Sequence, residues 1–349
     1  MKKLRVGIIG CGNIFPVHAV SILKDGQAEI VAISDIKEDR AKKWADVYSC
    51  MFYLDYKEMI DQAKLDVVHI CTPHYLHPRM VIDAAHAGIH VMTEKPMSIT
   101  IEDAQEMIEV CEKNQVLLGV IFQNRYNSAS VFIKSKLDQF HLGPILGGKC
   151  SVTWKRTDEY YSQSDWKGTW EKEGGGVLID QAIHTLDLMR WFVGEEIDYV
   201  EGYIENRTHK LIEVEDIAEG LIKFKNGVHT SFYTNNYYSF DAPVEIELHC
   251  EYAIAKMVGD KASITFHDGF TVHSDLDPND YVNFGDGVKS YWGISHVKQI
   301  SEFYQSIRSG KSPEIDGKEA LKTQVMIASI YESGKTKKRV YLQENVGSK

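Results

Sequence analysis

Short hydrophobic runs alternate with amphipathic segments through the first third of the chain. The runs have the length of strands, and apolar positions in the segments between them recur with the period of an α-helix. The predicted strands are Leu4 to Ile9, Glu29 to Ser34, Val67 to Cys71, His90 to Thr93 and Leu117 to Val120. Helices are expected from Pro16 to Lys24 and, capped by Thr100, from Ile101 to Lys113. Strands alternating with helices predict a parallel, doubly wound sheet over residues 1–123.

A different pattern begins after Gln123. Beyond a predicted helix from Ser128 to Phe140, the hydrophobic segments have strand character and are joined by turn signals. Asn226-Gly227 is a strong hairpin signal, and a second hairpin is expected at Gly259-Asp260. The elements predicted here are Gly147 to Lys155, Ile217 to Phe224 and Val228 to Thr234 as strands, His296 to Ser309 and Gly317 to Gly334 as helices, and Arg339 to Leu342 as a closing strand. Successive hairpins predict a second domain, 124–349, of α+β type with an antiparallel sheet.

The first strand runs directly into a glycine-rich turn. Gly10 permits the tight turn, and Gly12 lets a pyrophosphate approach the backbone at the N-terminus of the following helix. A Gly-x-Gly pair also marks ordinary turns, but the next strand ends at Asp35, where a carboxylate can bind the ribose hydroxyls of a dinucleotide. Ile36 follows, rather than the arginine that would accept a 2′-phosphate. These residues predict a dinucleotide site and favour NAD over NADP.

Composition narrows the class of protein. The 349 residues suit two domains, and the formal net charge of -11 argues against nucleic acid or an anionic membrane as the main partner. No segment approaches transmembrane length, and the apolar run near the start is too short for a signal peptide. Six cysteines without metal or disulfide spacing favour a reducing cytoplasm. They are Cys11, Cys50, Cys71, Cys111, Cys150 and Cys250.

Lys95 is a candidate catalytic residue. It follows the predicted strand His90 to Thr93 directly, and an open parallel sheet places ligand contacts at the carboxyl ends of its strands. A lysine beside a positively charged nicotinamide ring can have its pKa lowered enough to help remove a proton from an alcohol. Pro96 would stiffen the loop. The alternative is a solvated surface charge.

A second candidate site follows Gly174-Gly175-Gly176. The chain continues there as a predicted amphipathic helix on which Asp180 and His184 stand four residues apart. This spacing places both side chains on one face, where the carboxylate could fix the tautomer of the imidazole and the imidazole could exchange a proton with a substrate hydroxyl. The alternative is a packing or surface pair.

The chain resembles the Gfo/Idh/MocA family, named for glucose-fructose oxidoreductase and inositol dehydrogenase, over essentially its whole length. The motifs that carry the resemblance are Gly10-Cys11-Gly12-Asn13-Ile14 with His18, Cys71-Thr72-Pro73 with His77, Glu94-Lys95-Pro96, and Gly175-Gly176 leading to Asp180 and His184. The resemblance implies an N-terminal Rossmann domain and a C-terminal domain built on a large open, mainly antiparallel sheet whose outer face makes homodimers or homotetramers. It also implies sugar or cyclitol substrates.

Site residues follow from the same resemblance. It implies Lys95, Asp180 and His184 as catalytic residues. The implied cofactor-binding residues are Gly10, Gly12, Asn13, Ile14, Asp35, Thr72, Pro73, His77, Glu94, Lys95 and Asn124. The chain departs from the family pattern at Phe15, which replaces a small residue and could displace the phosphate turn, and at His74, which replaces an asparagine.

Substrate selection is expected to fall to residues 155–170, an aromatic and basic segment before the glycine turn. Tyr160 and Trp166 could stack on a sugar face, and Arg156 or Lys167 could meet a phosphate or carboxylate, although the segment could also merely pack on its neighbours. Together with Lys95, Asp180 and His184 these complete the expected substrate site. The Cys-x-x-His-x-x-His spacing that begins at Cys71 lacks a fourth ligand, so no metal is expected.

The residues therefore predict an NAD-dependent dehydrogenase that oxidises a secondary hydroxyl of a sugar, cyclitol or sugar derivative to a ketone. Two alternatives stay open at this point. The same oxidation can acidify a neighbouring C–H and permit NAD-dependent glycoside cleavage without net redox change. The second alternative is a non-catalytic protein that binds NAD and senses a metabolite.

Overall fold

The computed structural model describes residues 2–275, 277, 280, 282–285 and 295–342, so the outer ends of the two predicted domains lie outside the described residues. The chain divides into two compact units. The first contains the described residues up to Gln123 together with 282–285 and 295–321. The second contains the described residues from 124 to 280 and from 322 to 342.

The first unit begins with alternating strands and helices, as the hydrophobic pattern predicts. Its elements are β1 (Leu4–Ile9), α1 (Phe15–Asp25), β2 (Ala28–Ser34), α2 (Glu38–Tyr48), β3 (Met51–Tyr53), α3 (Tyr56–Gln62), β4 (Val67–Ile70), α4 (His77–His86), β5 (His90–Thr93), α5 (Ile101–Lys113) and β6 (Leu118–Val120). The Thr100 hydroxyl accepts a hydrogen bond from the amide of Asp103, so the predicted cap of α5 is confirmed.

The six strands form one parallel sheet in the order β3-β2-β1-β4-β5-β6. The order reverses direction at β1 and β4, which makes a crevice at their carboxyl ends where doubly wound sheets bind their ligands. Both predicted ligand loops, after β1 and after β4, leave the sheet at this point. The predicted Rossmann fold is confirmed.

The second unit contains a large sheet. Its elements are α6 (Ser128–Asp138), β7 (Ile145–Thr153), α7 (Asp158–Ser162), a π-helical turn (Leu178–Ala182), α8 (Ile183–Val193), β8 (Ile197–Glu205), β9 (Ile217–Phe224), β10 (His229–Asn235), β11 (Glu245–Cys250), β12 (Ala253–Val258), β13 (Lys261–Phe266), β14 (Thr271–His273) and β15 (Val340–Tyr341). Two helices complete the described chain, α9 (His296–Ser309) in the first unit and α10 (Gly317–Thr336), whose residues from 322 onwards belong to the second.

The nine strands run in the order β14-β13-β12-β11-β7-β10-β9-β8-β15. Every recorded pairing is antiparallel except that between β10 and β7. Asn226 and Gly227 turn β9 into β10, with Gly227 at a φ of 96°, and Gly259 turns β12 into β13. Both predicted hairpins and the mainly antiparallel sheet are confirmed.

Residues 295–321 belong to the first unit, whereas the predicted division assigned all of 124–349 to the second domain. Helix α9 packs against α1. Ile300, Phe303 and Tyr304 are fully buried there, in the same core cluster as Phe15 and Ile22 of the first unit. Burial of an amphipathic face against a partner distant in sequence depends on the tertiary fold, which a local pattern does not show.

Candidate active site

The glycine turn after β1 is fastened to the end of β2 by Asp35. One carboxylate oxygen of Asp35 accepts the backbone N–H of Cys11 at 2.8 Å, and the other accepts the N–H of Lys37 at 2.8 Å. A carboxylate offers about four acceptor positions, so these two bonds leave capacity for further donors. Next to it, Ile36 is 88% exposed. The predicted ribose-binding carboxylate thus lies beside the glycine turn with an apolar neighbour.

The two glycines of this turn are required for different reasons. Gly10 has a φ of 94°, and a Cβ on it would lie 2.6 Å from the carbonyl oxygen of Cys71. A Cβ on Gly12 would meet nothing within 4 Å. Phe15, where the family has a small residue, is fully buried and its ring lies 5.0 Å from that of Trp44. Since Phe15 enters the core, its size is accommodated there.

The loops after β4 and β5 are tied together by His77. One ring nitrogen lies 2.9 Å from the carbonyl oxygen of Thr72, and the other lies 2.8 Å from that of Pro96. The imidazole is fully buried. Burial lowers the pKa of His77, so its neutral imidazole has one N–H and donates to one of these two carbonyl oxygens, while the ring lies against the loops that carry Thr72 and Lys95. Cofactor binding by His77 stays a prediction.

Glu94, which was also predicted to bind the cofactor, is buried, with 8% of its surface exposed. Contact with a cofactor does not require this degree of burial. Its Oε1 lies 2.8 Å from Nε2 of His18 and 3.3 Å from Nε2 of His296, and its Oε2 accepts the N–H of Lys95 at 3.3 Å. Burial opposes ionisation, but the hydrogen bonds from the two histidines outweigh it and hold the pKa of Glu94 well below its ordinary value. The carboxylate therefore anchors the backbone that presents Lys95.

A chain of buried polar groups extends from His18. The Nδ1 atoms of His18 and His69 are 2.8 Å apart, and Nε2 of His69 lies 2.8 Å from the hydroxyl of Tyr304. Burial, and then the charge on His18, lower the pKa of His69. His18, Glu94 and His296 have the ligand types that metals prefer, but their separations of 2.8 and 3.3 Å are those of hydrogen bonds. We assign no metal to this group.

In the second unit, the three glycines allow a turn to pack tightly on Glu215. A Cβ on Gly176 would overlap the carbonyl oxygen of Glu215, and one on Gly175 would overlap the hydroxyl of Tyr331. The Glu215 carboxylate accepts the N–H of Gly176 at 2.9 Å, the N–H of Leu178 at 3.0 Å and the hydroxyl of Tyr331 at 2.8 Å. Burial raises the pKa of Glu215 to about 7, against the effect of these donors. This buried carboxylate holds the start of the helical segment that carries Asp180.

That segment begins differently from the prediction. A π-helical turn, Leu178–Ala182, precedes α8, so Asp180 lies on the wide turn and His184 on the α-helix. Such turns are rare and occur frequently at functional sites. Three donors converge on one oxygen of Asp180: the Tyr160 hydroxyl at 3.1 Å, Nζ of Lys167 at 3.1 Å and Nε2 of Gln181 at 2.6 Å. The predicted orientation of His184 by Asp180 stays a prediction.

The predicted substrate segment splits into two kinds of residue. Arg156 is buried, donates to Asp241 at 2.9 Å and to the Lys155 carbonyl at 2.7 Å, and lies over the rings of Trp154 and Tyr160. Its guanidinium therefore has a structural role within the segment. Tyr160, Trp166 and Lys167 are partly exposed. Nζ of Lys167 lies 4.4 Å from the centre of the Tyr160 ring and 4.9 Å from that of the Trp166 ring.

Asn124 and Arg125 lie in a short helical turn that follows β6. Arg125 donates to both oxygens of Asp187 on α8, at 2.7 and 2.6 Å, and the pair is almost fully buried. Thr323 adds a hydrogen bond of 2.6 Å to the same carboxylate. Arg125 is thus an ion-pair residue. Cofactor binding by the partly exposed Asn124 stays a prediction.

Some residues that shape the site were missed by sequence reasoning. They are the buried residues Glu215, Glu173 and His296. Glu215 and His296 lie far along the chain from the groups they contact, whereas Glu173 accepts from Gly168, five residues away. The one available signal was an acidic pair, Glu215-Asp216, directly before the apolar strand β9. Charges at a strand end are ordinarily solvated, so this signal alone does not indicate a buried anchor.

Comparison with known proteins places the chain in a family. Residues 4–122 match the model for an oxidoreductase family with an NAD-binding Rossmann fold, and residues 131–256 match the C-terminal domain model of the same GFO/IDH/MocA family. The two matches cover most of the chain. The protein belongs to the GFO/IDH/MocA family of oxidoreductases, and its N-terminal Rossmann domain binds NAD.

Individual relatives match along nearly the full length. The chain is 28% identical to D-glucoside 3-dehydrogenase of Escherichia coli, over 98% of each chain. It is 24% identical to myo-inositol 2-dehydrogenase of Thermotoga maritima, over 99% of this chain and 100% of that one. The crystal structure of the WlbA dehydrogenase from Bordetella pertussis in complex with NADH and UDP-GlcNAcA is 27% identical, with a TM-score of 0.87 over 99% of each chain. Among the described residues, no helix is long and apolar enough to cross a bilayer.

Proposed function

We propose that the protein is an NAD-dependent dehydrogenase that oxidises a secondary hydroxyl of a sugar, cyclitol or sugar derivative to a ketone. The observation that supports this most is the arrangement around Asp180. A partly exposed carboxylate is held on a π-helical turn by three donors, next to the aromatic rings of Tyr160 and Trp166. The arrangement lies in the C-terminal domain of the family, and the relatives of the chain include a glucoside dehydrogenase and an inositol dehydrogenase, which supports a sugar or cyclitol as the substrate.

Each residue has a defined task in this proposal. NAD, when bound, would supply the acceptor for the hydride that leaves the carbon carrying the hydroxyl. Lys95 and His184 take the hydroxyl proton, so the alcohol loses one hydride and one proton and becomes a ketone. Asp180 orients His184. The anchoring of the Lys95 backbone by Glu94 supports the first of these roles, because a general base must be held at a fixed distance from its proton.

Cofactor binding is assigned to the loops at the carboxyl edge of the parallel sheet. Asp35 binds the ribose hydroxyls with the acceptor positions that Cys11 and Lys37 leave open, and the turn from Gly10 to Ile14 holds the pyrophosphate. The remaining contacts are assigned to the partly or fully exposed residues Asn13, Thr72, Pro73 and Asn124. His77 and Glu94 act from beneath, by positioning the loops.

On the substrate side, we assign ring stacking to Tyr160 and Trp166. Both are partly exposed, and aromatic faces suit the apolar faces of sugar rings. Arg156 supports Tyr160 from behind, with its guanidinium carbon 5.3 Å from the centre of that ring. The guanidinium of Arg156 forms an ion pair with Asp241. This ion pair neutralises the positive charge with which a substrate phosphate or carboxylate would otherwise interact.

The experiment is an absorbance assay for reduced nicotinamide. Purified protein is mixed with NAD and a panel of cyclitols, free sugars, glycosides and nucleotide sugars, with Lys95→Ala as the matched variant. We expect NADH formation with one substrate class and its loss in Lys95→Ala, while NAD binding measured by calorimetry is largely kept. Full turnover by Lys95→Ala would refute the assignment of Lys95.

Two other outcomes distinguish the alternatives. NAD binding with cleavage of a glycoside, and no accumulation of NADH, would indicate transient oxidation with return of the hydride. NAD binding together with tight binding of a panel compound that is never converted would indicate a sensor. Product analysis by mass spectrometry separates the two, because only cleavage changes the mass of the compound.

We further propose that the protein forms a homodimer or homotetramer through the outer face of the nine-stranded sheet. Paired residues on neighbouring strands share a face, and the pairing aligns Tyr203 on β8, Tyr233 on β10 and Val258 on β12. All three side chains are exposed. Light scattering coupled to size-exclusion chromatography tests this, with Tyr233→Lys expected to release monomers.

A further inference from the structure

Lys167 lies at the centre of the polar cluster around Asp180. Its Nζ is 3.1 Å from Oδ2 of Asp180 and contacts the hydroxyl of Tyr160 directly. The Tyr160 hydroxyl in turn donates to the same Asp180 oxygen at 3.1 Å. The three groups form a closed triangle within the second unit. The side chains of Lys167 and Asp180 are only 17% and 12% exposed, so solvent screens their attraction weakly.

A second carboxylate, that of Glu173, lies farther from the ammonium, at 4.0 Å. Burial, and then the charge on Asp180, raise the pKa of Glu173 to about 8. One oxygen of Glu173 faces the ammonium at that distance, and its other oxygen accepts the N–H of Gly168. Asp180 is therefore the nearer of the two carboxylates that face the ammonium of Lys167.

The ammonium itself stays charged. Burial alone would lower the pKa of Lys167, but the attraction of Asp180, followed by those of Tyr160 and Glu173, raises it above its ordinary value. A permanently charged donor beside a carboxylate favours the ionised form of that carboxylate. The Tyr160 hydroxyl, which accepts from Lys167 and donates to Asp180, fixes the plane of the carboxylate at the same time.

We propose that Lys167 is a positioning residue that keeps Asp180 ionised and in a single orientation, and that it does not serve as a receptor for an anionic substrate group. The proposal rests on the proposed dehydrogenase function, in which Asp180 orients His184. Lys167 thereby acts on the proton transfer through Asp180 and Tyr160, without touching the substrate.

The test compares Lys167→Met, which removes the charge, with Lys167→Arg, which keeps it. Lys172→Met is the matched control, because Lys172 lies five residues away in the same region and its ammonium lies 3.7 Å from the exposed carboxylate of Asp165 and donates to the carbonyl of Asp165 at 3.1 Å. The measurement is kcat/KM against pH with the substrate that the panel identifies. Removing an opposite charge at this distance shifts a carboxyl titration upwards by about 1–3 pH units.

We expect the acidic limb of the profile to move to higher pH by that amount in Lys167→Met and kcat at neutral pH to fall about tenfold or more, since a positioned acid–base group contributes at least about a hundredfold. Lys167→Arg should restore most of the profile, and Lys172→Met should match the wild type. An unchanged profile in Lys167→Met would overturn the proposal. A rise in KM confined to anionic substrates, with the pH profile unchanged, would also overturn it, by making Lys167 a substrate receptor.

A readout without turnover separates this proposal from the proposed function. Carboxyl ¹³C signals of aspartate-labelled protein are titrated, with Asp180 assigned by its absence in Asp180→Asn. The Asp180 signal should titrate at higher pH in Lys167→Met than in wild type, whether or not any substrate is oxidised. Should Lys167→Met not fold, Lys167→Gln takes its place, and an Asp180 titration equal to that of wild type refutes the pairing.

Discussion

Alanine in place of Gly12 should weaken NAD binding and leave the fold of the free protein intact. A Cβ there would meet nothing within 4 Å, and the backbone of Gly12 is not in the left-handed region. Replacing a glycine by alanine at a compatible position raises stability by about 0.4–1 kcal/mol through the unfolded chain. The same methyl group would stand where the pyrophosphate must approach the turn. We expect the dissociation constant for NAD to rise at least about tenfold, which is 1.4 kcal/mol.

Gly10→Ala should behave in the opposite way, by destabilising the free protein. Its φ of 94° costs a residue with a Cβ about 1–2 kcal/mol. The methyl group would also lie 2.6 Å from the backbone oxygen of Cys71, an overpacking that costs about 1–3 kcal/mol more. Gly26→Ala is the control, because Gly26 has a φ of 74° but a Cβ there would meet nothing within 4 Å. It should show the conformational cost alone.

The assays are urea unfolding without cofactor and calorimetric titration with NAD. Gly12→Ala should have a slightly higher urea midpoint than wild type and lose affinity for NAD. Gly10→Ala should lose several kcal/mol of unfolding free energy, and Gly26→Ala should lie between wild type and Gly10→Ala in stability. Wild-type NAD affinity in Gly12→Ala would refute the assignment of this turn to the pyrophosphate. A large loss of stability in the same variant would refute the separation of the two roles.

Three further outcomes are expected. Asp187→Ala leaves the buried guanidinium of Arg125 without its carboxylate and should cost about 3–5 kcal/mol in urea unfolding. Asp35→Ala should raise the dissociation constant for NAD about tenfold or more in calorimetry, because it removes both the ribose acceptor and the acceptor of a glycine-turn amide. The hydrogen bond to Asp216 raises the pKa of His209, so the stabilisation from this pair should be complete below about pH 6.5 and lost as the pH rises through the raised value. A stability difference between wild type and His209→Phe that grows with pH would contradict this.

Much of the fold follows from local pattern. β1, β5, α5, β9 and α9 have the predicted bounds, and the other predicted ends lie within two residues of the observed ones. Local signals suffice here because period, capping and turn residues act over a few positions, as Thr100 and Gly227 show. The local pattern did not predict that α9 belongs to the first unit, because an apolar helix face is compatible with any apolar partner surface.

In the candidate site, too, some features follow from local sequence and others only from tertiary packing. The sequence alone identified the candidate residues: a glycine turn with Asp35 one strand later, Lys95 at the end of β5, and Asp180 with His184 after the three glycines. These types and spacings follow one another closely in the chain. The same motifs predict NAD as the cofactor, and the match to a family with an NAD-binding Rossmann fold confirms this.

Only the tertiary structure decided what surrounds those residues. Glu94 lies between His18 and His296, which are separated by most of the chain. Asp180 accepts a hydrogen bond from Lys167 in addition to one from its neighbour Gln181. The structure also showed that Arg156 is committed to Asp241. Burial and pairing of charges depend on distances between segments remote in sequence, and these distances exist only once both sheets have formed.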